Sequence, residues 1–258
     1  MRSYIINLER STERLNDMLI QFVGKKAEYE IVNAIDGANY KGPYLNNSSC
    51  QIMDVPLTVN EIACFISHRL CWEKIAHGSD SHGAVFEDDV LISSDAWEIL
   101  EDIPIWLNKV DVLKVETFLA KVFFRRRKQR VTKKFSMLRA VSIHPGGAGY
   151  ILSREAATEL LKETDAFLPC AVDNFLFYKS FYPKKNKKIY HLSPALCIQT
   201  RLIEHKEGHE STIDSKDGEI RTQYHLKKKK GLKRFLQNFV QPVRRLIYKK
   251  CIIPFYTE

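Results

Sequence analysis

Ala84-Val85-Phe86-Glu87-Asp88-Asp89-Val90 decides how this chain is read. Gly83 and three apolar residues deliver three consecutive carboxylates, at the end of a run with the composition of a buried strand. Adjacent anions repel one another, so an acidic triplet in that position calls for a compensating cation. A hard divalent ion such as Mg2+ or Mn2+ supplies it, because such ions take oxygen ligands. A strand followed by a plain acidic turn is the alternative, and the rest of the chain decides between the two.

Working outward, residues 3–8 read as a strand. Ser11 or Thr12 can cap the next helix, whose Leu15, Met18, Leu19 and Phe22 fall at helical spacing, with Gly24 as a stop. Residues 29–34 read as a second strand ending at Asp36-Gly37, and a strand–helix–strand start favours a parallel sheet. Residues 38–56 have the composition of a loop. Thr58 and Glu61 form a capping-box pattern, opening a helix through Cys64, Phe65, His68, Trp72 and Ile75 that ends at Gly78. After the acidic triplet come a helix over 94–101, a strand over 112–115 and a hairpin reaching Phe124. Arg125-Arg126-Arg127-Lys128-Gln129-Arg130 is too charged for a core. A strand is expected over 140–144, then a small-residue turn at Pro145-Gly146-Gly147-Ala148-Gly149-Tyr150, with Ser153 capping an Ala- and Leu-rich helix.

With 258 residues, 45% hydrophobic and including 14 Phe and 11 Tyr, the chain can build one large α/β domain. No apolar run approaches the ~20 residues that span a bilayer, and nothing at the start reads as a secretory signal. The six cysteines form no CxxC pair, so they are expected as reduced thiols of a cytoplasmic protein. Of 40 Lys/Arg and 31 Asp/Glu, residues 226–258 hold ten basic residues against Glu258 alone, so the net charge of +9 lies entirely in the tail. A neutral body without RRM, zinc-finger or helix-turn-helix spacing speaks against a nucleic-acid-binding protein. The tail interleaves Lys/Arg with Leu232, Phe235, Leu236, Phe239, Val240, Leu246, Ile247 and Tyr248. That pattern suits a basic amphipathic helix on an anionic leaflet, interrupted at Pro242.

Several stretches occur together in one order. They are Asn7-Leu8-Glu9-Arg10 with Arg14; Ala34-Ile35-Asp36-Gly37; Glu61-Ile62-Ala63-Cys64 with Ser67-His68 and Trp72; Phe86 to Val90; Gly147 to Ala156; Ala171-Val172-Asp173; and Ser193 to Cys197 with Gln199. This ordered set resembles glycosyltransferase family 25, the bacterial lipooligosaccharide galactosyltransferases, over residues 3 to about 200. Glu116-Thr117-Phe118-Leu119-Ala120-Lys121-Val122 resembles the galactosyltransferase branch, whereas Gly146-Gly147 departs from the family's frequent Gly-Thr. The resemblance implies an α/β, GT-A-like fold with a Rossmann-type half for the nucleotide sugar and a more variable acceptor half. One such domain with a mixed central sheet is expected over 1–225, and the charge pattern adds the basic helical tail at 226–258, which the resemblance does not cover. The resemblance also implies a UDP-sugar donor and inversion at the anomeric carbon.

The family pattern assigns roles residue by residue. Asp89, with Glu87 two positions away on the same side of an extended segment, resembles the family's DxD metal ligands for Mn2+ or Mg2+. Glu87 or Asp88 would also contact ribose, sugar hydroxyls or metal-bound water. Asn7, Leu8, Arg10, Arg14, Ala34, Asp36 and Gly147 make up the rest of the donor-binding set, with Arg10 or Arg14 on the diphosphate and Asp36 on uracil or ribose. Asp173 is the general base, or a helix N-cap, or both. Asn7, Arg10 and Arg14 also read as polar residues at a helix start, Asp36 as a turn residue, His68 as a satisfied core histidine, and Gly146-Gly147 as a tight loop. His205 and His209 lie where a late metal ligand is expected. The implied reaction moves galactose from UDP-galactose to a lipooligosaccharide core sugar, with a β-1,4 linkage, on the cytoplasmic side of the inner membrane. UDP-glucose as donor, or a metal-dependent phosphohydrolase, are the alternatives.

Overall fold

The computed structural model describes residues 1–46, 48, 56–102, 104–142, 144–177, 188–203 and 247–255. β1 (Ser3–Asn7) pairs in parallel with β2 (Tyr29–Asn33) on one side and β3 (His82–Glu87) on the other. Parallel neighbours need crossover connections. Here α1 (Thr12–Ile20) and α2 (Val59–His77) provide them. The capping box at the start of α2 is present: Thr58 Oγ1 accepts the Glu61 N–H at 3.2 Å, and the Glu61 carboxylate accepts the Thr58 N–H at 3.0 Å. Gly78 follows as its C-cap.

β4 (Val90–Ile92) and α3 (Ala96–Leu100) follow the acidic triplet. Beyond them, β10 (Gly149–Ser153) inserts antiparallel between β3 and β5 (Val112–Lys114). β11 (Ile189–Ser193) lies parallel to β5, and β9 (Ser136–Leu138) and β8 (Gln129–Arg130) complete the edge. The eight-stranded sheet therefore runs β2-β1-β3-β10-β5-β11-β9-β8 and is mixed. α4 (Arg154–Glu163), capped by Ser153, packs on α2, and α5 (Val172–Phe177) lies beside them.

Side chains alternate across a strand, and here both faces are covered. Tyr4, Ile6, Val85, Tyr150 and Leu152 enter one apolar cluster with Phe65, Trp72 and Phe175. Ile5, Ala84, Phe86 and Ile151 enter the other with Met18, Trp97 and Leu107. Continuous apolar runs such as Ala84-Val85-Phe86, rather than alternating ones, are what a sheet buried on both faces requires.

Three expectations are corrected. The 112–124 hairpin does not form: β6 (Glu116–Thr117) joins β12 (Cys197–Gln199) and β4 in a separate sheet, and β7 (Val122–Arg125) pairs elsewhere. Among the described residues of 140–144, the expected strand is reduced to one bridge between Phe124 and Ala140. The tail turns to strand from Tyr248: β13 (Tyr248–Cys251) pairs antiparallel with β7. Tertiary burial overrides the helical pattern there. Ile253 is buried with Val122, Phe124 and Ala195, its carbonyl accepts Thr117 Oγ1 at 2.6 Å, and Ala195 N–H donates to Pro254 O at 2.9 Å. Most of the expected tail helix, including Pro242, lies outside the described residues. The described cysteines Cys64, Cys71, Cys170, Cys197 and Cys251 are free thiols, and Cys50 lies outside the described residues. Among the described residues, no helix is long and apolar enough to cross a membrane.

Four histidines, His68, His82, His144 and His191, are buried in this framework, and burial pushes all four below the ordinary imidazole pKa. His144 and His191 meet Nδ1 to Nδ1 at 2.9 Å, a contact that neutral rings can bridge with one proton. An unfolded imidazole binds its proton near pH 6.5. Stability from each buried neutral ring is therefore present above that pH and lost below it, by up to about 1.4 kcal/mol per pH unit. Glu87 and Glu116, raised to about 8 and about 7 by burial, act in the opposite direction. The histidine effect must therefore be read as a difference. Urea titrations should give His191→Phe a shallower loss of stability between about pH 7 and pH 5 than the parent; parallel slopes would contradict neutral burial.

Candidate active site

The parallel register sets Ile6 beside Glu87 and Asn7 beside Asn33, so β1, β2 and β3 end on one edge of the sheet. Open α/β sheets bind ligands outside the carboxyl ends of their strands. A cleft of about 330 Å3 opens there, a size typical of small-ligand sites. The β1–α1 turn contributes Leu8 and Arg10, the first turn of α1 contributes Arg14, the segment after β2 contributes Ala34 and Asp36, and β3 with the residues after it contributes Glu87, Asp88 and Asp89. Asn60, Cys64, Ser67 and His68 of α2 form the wall opposite, and Gln199 of β12 closes one side.

The acidic triplet is organised by its neighbours. Arg14 reaches Asp88 Oδ1 with Nη1 at 3.3 Å and Asp89 Oδ2 with Nη2 at 3.1 Å. Asn7 Nδ2 donates to Asp88 Oδ2 at 2.6 Å and to Ser11 O at 3.0 Å. Gln199 Nε2 lies 3.4 and 3.3 Å from the two oxygens of Asp89, and Arg201 Nη2 donates to Gln199 Oε1 at 3.3 Å. Burial, then the charges of Asp89 and Asp88, push the Glu87 carboxyl up to about 8, with Arg14 and Arg201 opposing. Burial also raises Asp88. Arg14 thus bridges two of the three acids, and the excess of carboxylate oxygens fits a hard divalent ion. At the cleft mouth Arg10 pairs with Asp36. The Ala38 N–H, at 3.0 Å, and Arg10 hold the Asp36 carboxyl below its usual range.

The 145–148 turn is pinned from beneath. Lys114 and Glu116, both fully buried, pair at 3.1 Å. Lys114 Nζ also donates to Pro145 O at 2.9 Å and to Gly146 O, while Glu116 Oε2 accepts the Ala148 N–H at 3.0 Å. Asp173 Oδ2 accepts the Gly146 N–H at 3.2 Å from the other side. Asp173 lies in the first turn of α5 rather than at an N-cap, and its Oδ1 accepts the Asn174 N–H at 2.7 Å. Gly147 stands between the two sides of the site: a Cβ there would lie 3.8 Å from Asp173 Cβ and 3.9 Å from His68 Cε1.

Leu8, Arg10, Arg14, Ala34, Asp36, Glu87, Asp88 and Asp89 are thus brought together around one cleft. Asn7 is turned inward onto Asp88, and Gly147 and Asp173 adjoin the cleft next to His68 rather than line it. His205 and His209 lie outside the described residues. Gln199 and Glu116 were given no role by the sequence reading. Both stood inside the stretches that carried the family resemblance, and that position was the available signal.

Gly146, not Gly147, carries the backbone constraint. Its φ is +90°, and a Cβ would meet Glu116 Oε1 at 2.6 Å. Gly146→Ala is expected to cost about 1–3 kcal/mol in denaturant titrations. Gly147→Ala, with nothing nearer than 3.8 Å, should stay within about 0.5 kcal/mol of the parent.

The family model described as glycosyltransferase family 25 (LPS biosynthesis protein) matches residues 1–176. The lacto-N-neotetraose biosynthesis glycosyltransferase LgtE of Neisseria meningitidis serogroup B is 31% identical over 216 residues, covering 77% of this chain and 74% of its own. The lipooligosaccharide biosynthesis protein lic2B of Haemophilus influenzae is 27% identical over 267 residues, covering 97% and 96%. Among solved structures, a glycosyltransferase involved in the glycosylation of the major capsid of PBCV-1 aligns with 87% of this chain and 98% of its own, at a TM-score of 0.41 and 7% identity. With residues 1–176 matching the family model and a relative 31% identical over 77% of the chain, the chain belongs to glycosyltransferase family 25.

Proposed function

We propose that the enzyme transfers galactose from UDP-galactose to a lipooligosaccharide core sugar with inversion. The observation that carries this reading is the convergence of Arg10, Arg14, Asp36 and the Glu87–Asp89 triplet on one cleft at the strand ends. Guanidinium groups suit a diphosphate, and Asp36 beside Arg10 suits ribose or uracil. Asp89 and Glu87 are the residues that would hold Mn2+ or Mg2+, which when bound offsets the charge that grows on the departing diphosphate. The relatives named for lacto-N-neotetraose and lipooligosaccharide biosynthesis support an oligosaccharide acceptor.

In the transfer, the acceptor hydroxyl oxygen forms a bond to the anomeric carbon as the bond from that carbon to the diphosphate oxygen breaks. The hydroxyl proton passes to Asp173, and the bonding pair leaves with UDP. The Gly146 and Asn174 N–H groups orient the Asp173 carboxylate, and each of its oxygens retains acceptor capacity. Beside it Gly147 lets a sugar approach the backbone closely. UDP-glucose is the competing donor, differing only in configuration at C4.

A donor screen of UDP-galactose against UDP-glucose, on lactosyl, glucosyl and heptosyl acceptors and with product stereochemistry, tests the assignment. Asp173→Asn should lower kcat about 10²–10⁴-fold while the protein stays folded and binds donor. Near-parental kcat would leave Asp173 only its structural bonds. Asp89→Asn should abolish transfer and divalent-dependent UDP binding, and release of phosphate without any acceptor would favour a phosphohydrolase instead.

The same reading extends to the membrane. β13 sets exposed Lys250 beside exposed Phe123 of β7 and Tyr248 beside exposed Arg125, so the basic end of the described tail borders the 125–130 run. Phe123, Ile247 and Ile252 are exposed there too, and Lys250 Nζ lies 5.4 Å from the centroid of the Phe123 ring. Interleaved cations and apolar side chains suit an anionic leaflet. Arg125→Gln, Arg127→Gln, Lys249→Gln and Lys250→Gln combined should release the enzyme from phosphatidylglycerol-containing vesicles and spare activity on a soluble acceptor. Equal sedimentation of parent and variant would dispose of a basic membrane face.

A further inference from the structure

Tyr150, buried in the middle of β10, has two partners for its hydroxyl: Trp72 Nε1 at 2.8 Å and His68 Nδ1 at 3.0 Å. An indole N–H can only donate, so the Tyr150 oxygen accepts from Trp72. The hydroxyl's own proton then needs an acceptor, because an unmade bond in a buried site is costly. His68 Nδ1 is the one at hand. That nitrogen must therefore be unprotonated, and the neutral imidazole carries its proton on Nε2. Nε2 faces Glu87 Oε1 at 3.4 Å. Donation consequently runs in one direction, from Trp72 to Tyr150 to His68 to Glu87. The ring cannot turn freely within this chain, since it packs against Tyr150 with centroids 5.7 Å apart and planes inclined by 29°, and is itself buried.

The same tautomer argues against another use of the cluster. The ligand atoms of Cys64, His68 and Glu87 all lie within 4.8 Å of one another, close enough for a soft metal ion. Such an ion would need the Nε2 lone pair, which the relay fills with a proton, and a thiolate that burial disfavours at Cys64.

We propose that His68 is a positioning residue: as an Nε2–H donor it fixes one oxygen of Glu87 and leaves the other to face the donor or its cation. This rests on the reading of Glu87 as a donor-side carboxylate. It gives buried His68 a directional task that an apolar side chain of similar size could not perform.

Long-range 15N correlation spectra of the imidazole rings in the full chain near neutral pH report the tautomer directly. The relay requires the Nε2–H pattern at His68 and its partial loss in Tyr150→Phe; an Nδ1–H pattern in the parent overturns it. Kinetics supply the second arm. His68→Leu fills the space without a donor and should cost about 10–100-fold in activity, whereas His68→Gln, whose amide can donate from the same place, should recover most of it. Equal activity of the parent and the leucine variant overturns the proposal. Glu87→Gln separates the two levels. Unchanged donor kinetics in that variant, beside the expected tautomer, overturns the donor-side reading and with it the task given to His68. A crippled Glu87→Gln beside an Nδ1–H ring overturns the relay alone.

Discussion

Three carboxylates at the end of a strand buried on both faces must be balanced by something, and the region around β3 is arranged around that need. Arg14 is delivered by the turn of α1 and spans Asp88 and Asp89. Asn7 comes from the neighbouring strand, Gln199 from β12, and His68 from α2. Four segments distant in sequence thus end on three consecutive residues. Their convergence needs β1 and β3 to be parallel and in register, because an antiparallel neighbour would put its other end beside Glu87. The fold and the site are one arrangement in this sense: the parallel pairing that buries Ala84, Val85 and Phe86 is also what gathers the cleft.

Balance at the site is incomplete. One guanidinium bridges two of the acids and Glu87 is left with His68, while burial and the charges of Asp89 and Asp88 push its carboxyl up to about 8. A buried acid in that condition favours a cationic ligand over continued isolation. Glu116 is treated differently. It is equally buried, but Lys114 is paired with it and both are tied to the 145–148 backbone. The two buried acids therefore divide the work, one facing the cleft and short of positive charge, the other locked into the support of the turn.

Much of this was legible in the sequence where the signal is local. The Thr58–Glu61 box, the apolar runs of β1 and β3 and the triplet itself depend on neighbours a few positions away, and all lie where their pattern put them. Pairings that depend on distant residues were not legible. Nothing local in Tyr248 to Cys251 distinguishes a strand on β7 from a continuation of the amphipathic tail. The deciding fact is the apolar surface of Val122, Phe124 and Ala195, which Ile253 covers. Gln199 is invisible as an Asp89 partner for the same reason, and the positive φ of Gly146 is not legible because it depends on Glu116 beneath the turn.

His68 shows why some ambiguities of a sequence should not be forced. On its helix face, between Phe65 and Trp72, it reads equally well as a satisfied core histidine or as a site residue. The structure gives it both descriptions, since one ring nitrogen is satisfied by Tyr150 and the other points to Glu87. The two are connected through the ring. A proton held off Nδ1 by the core is a proton placed on Nε2 at the cleft, so the packing of Trp72 and Tyr150 determines what the site receives from His68. Core residues two bonds removed from the cleft thereby bear on its chemistry without any charge being transmitted, because a neutral imidazole has only two tautomers and the interior has already chosen one.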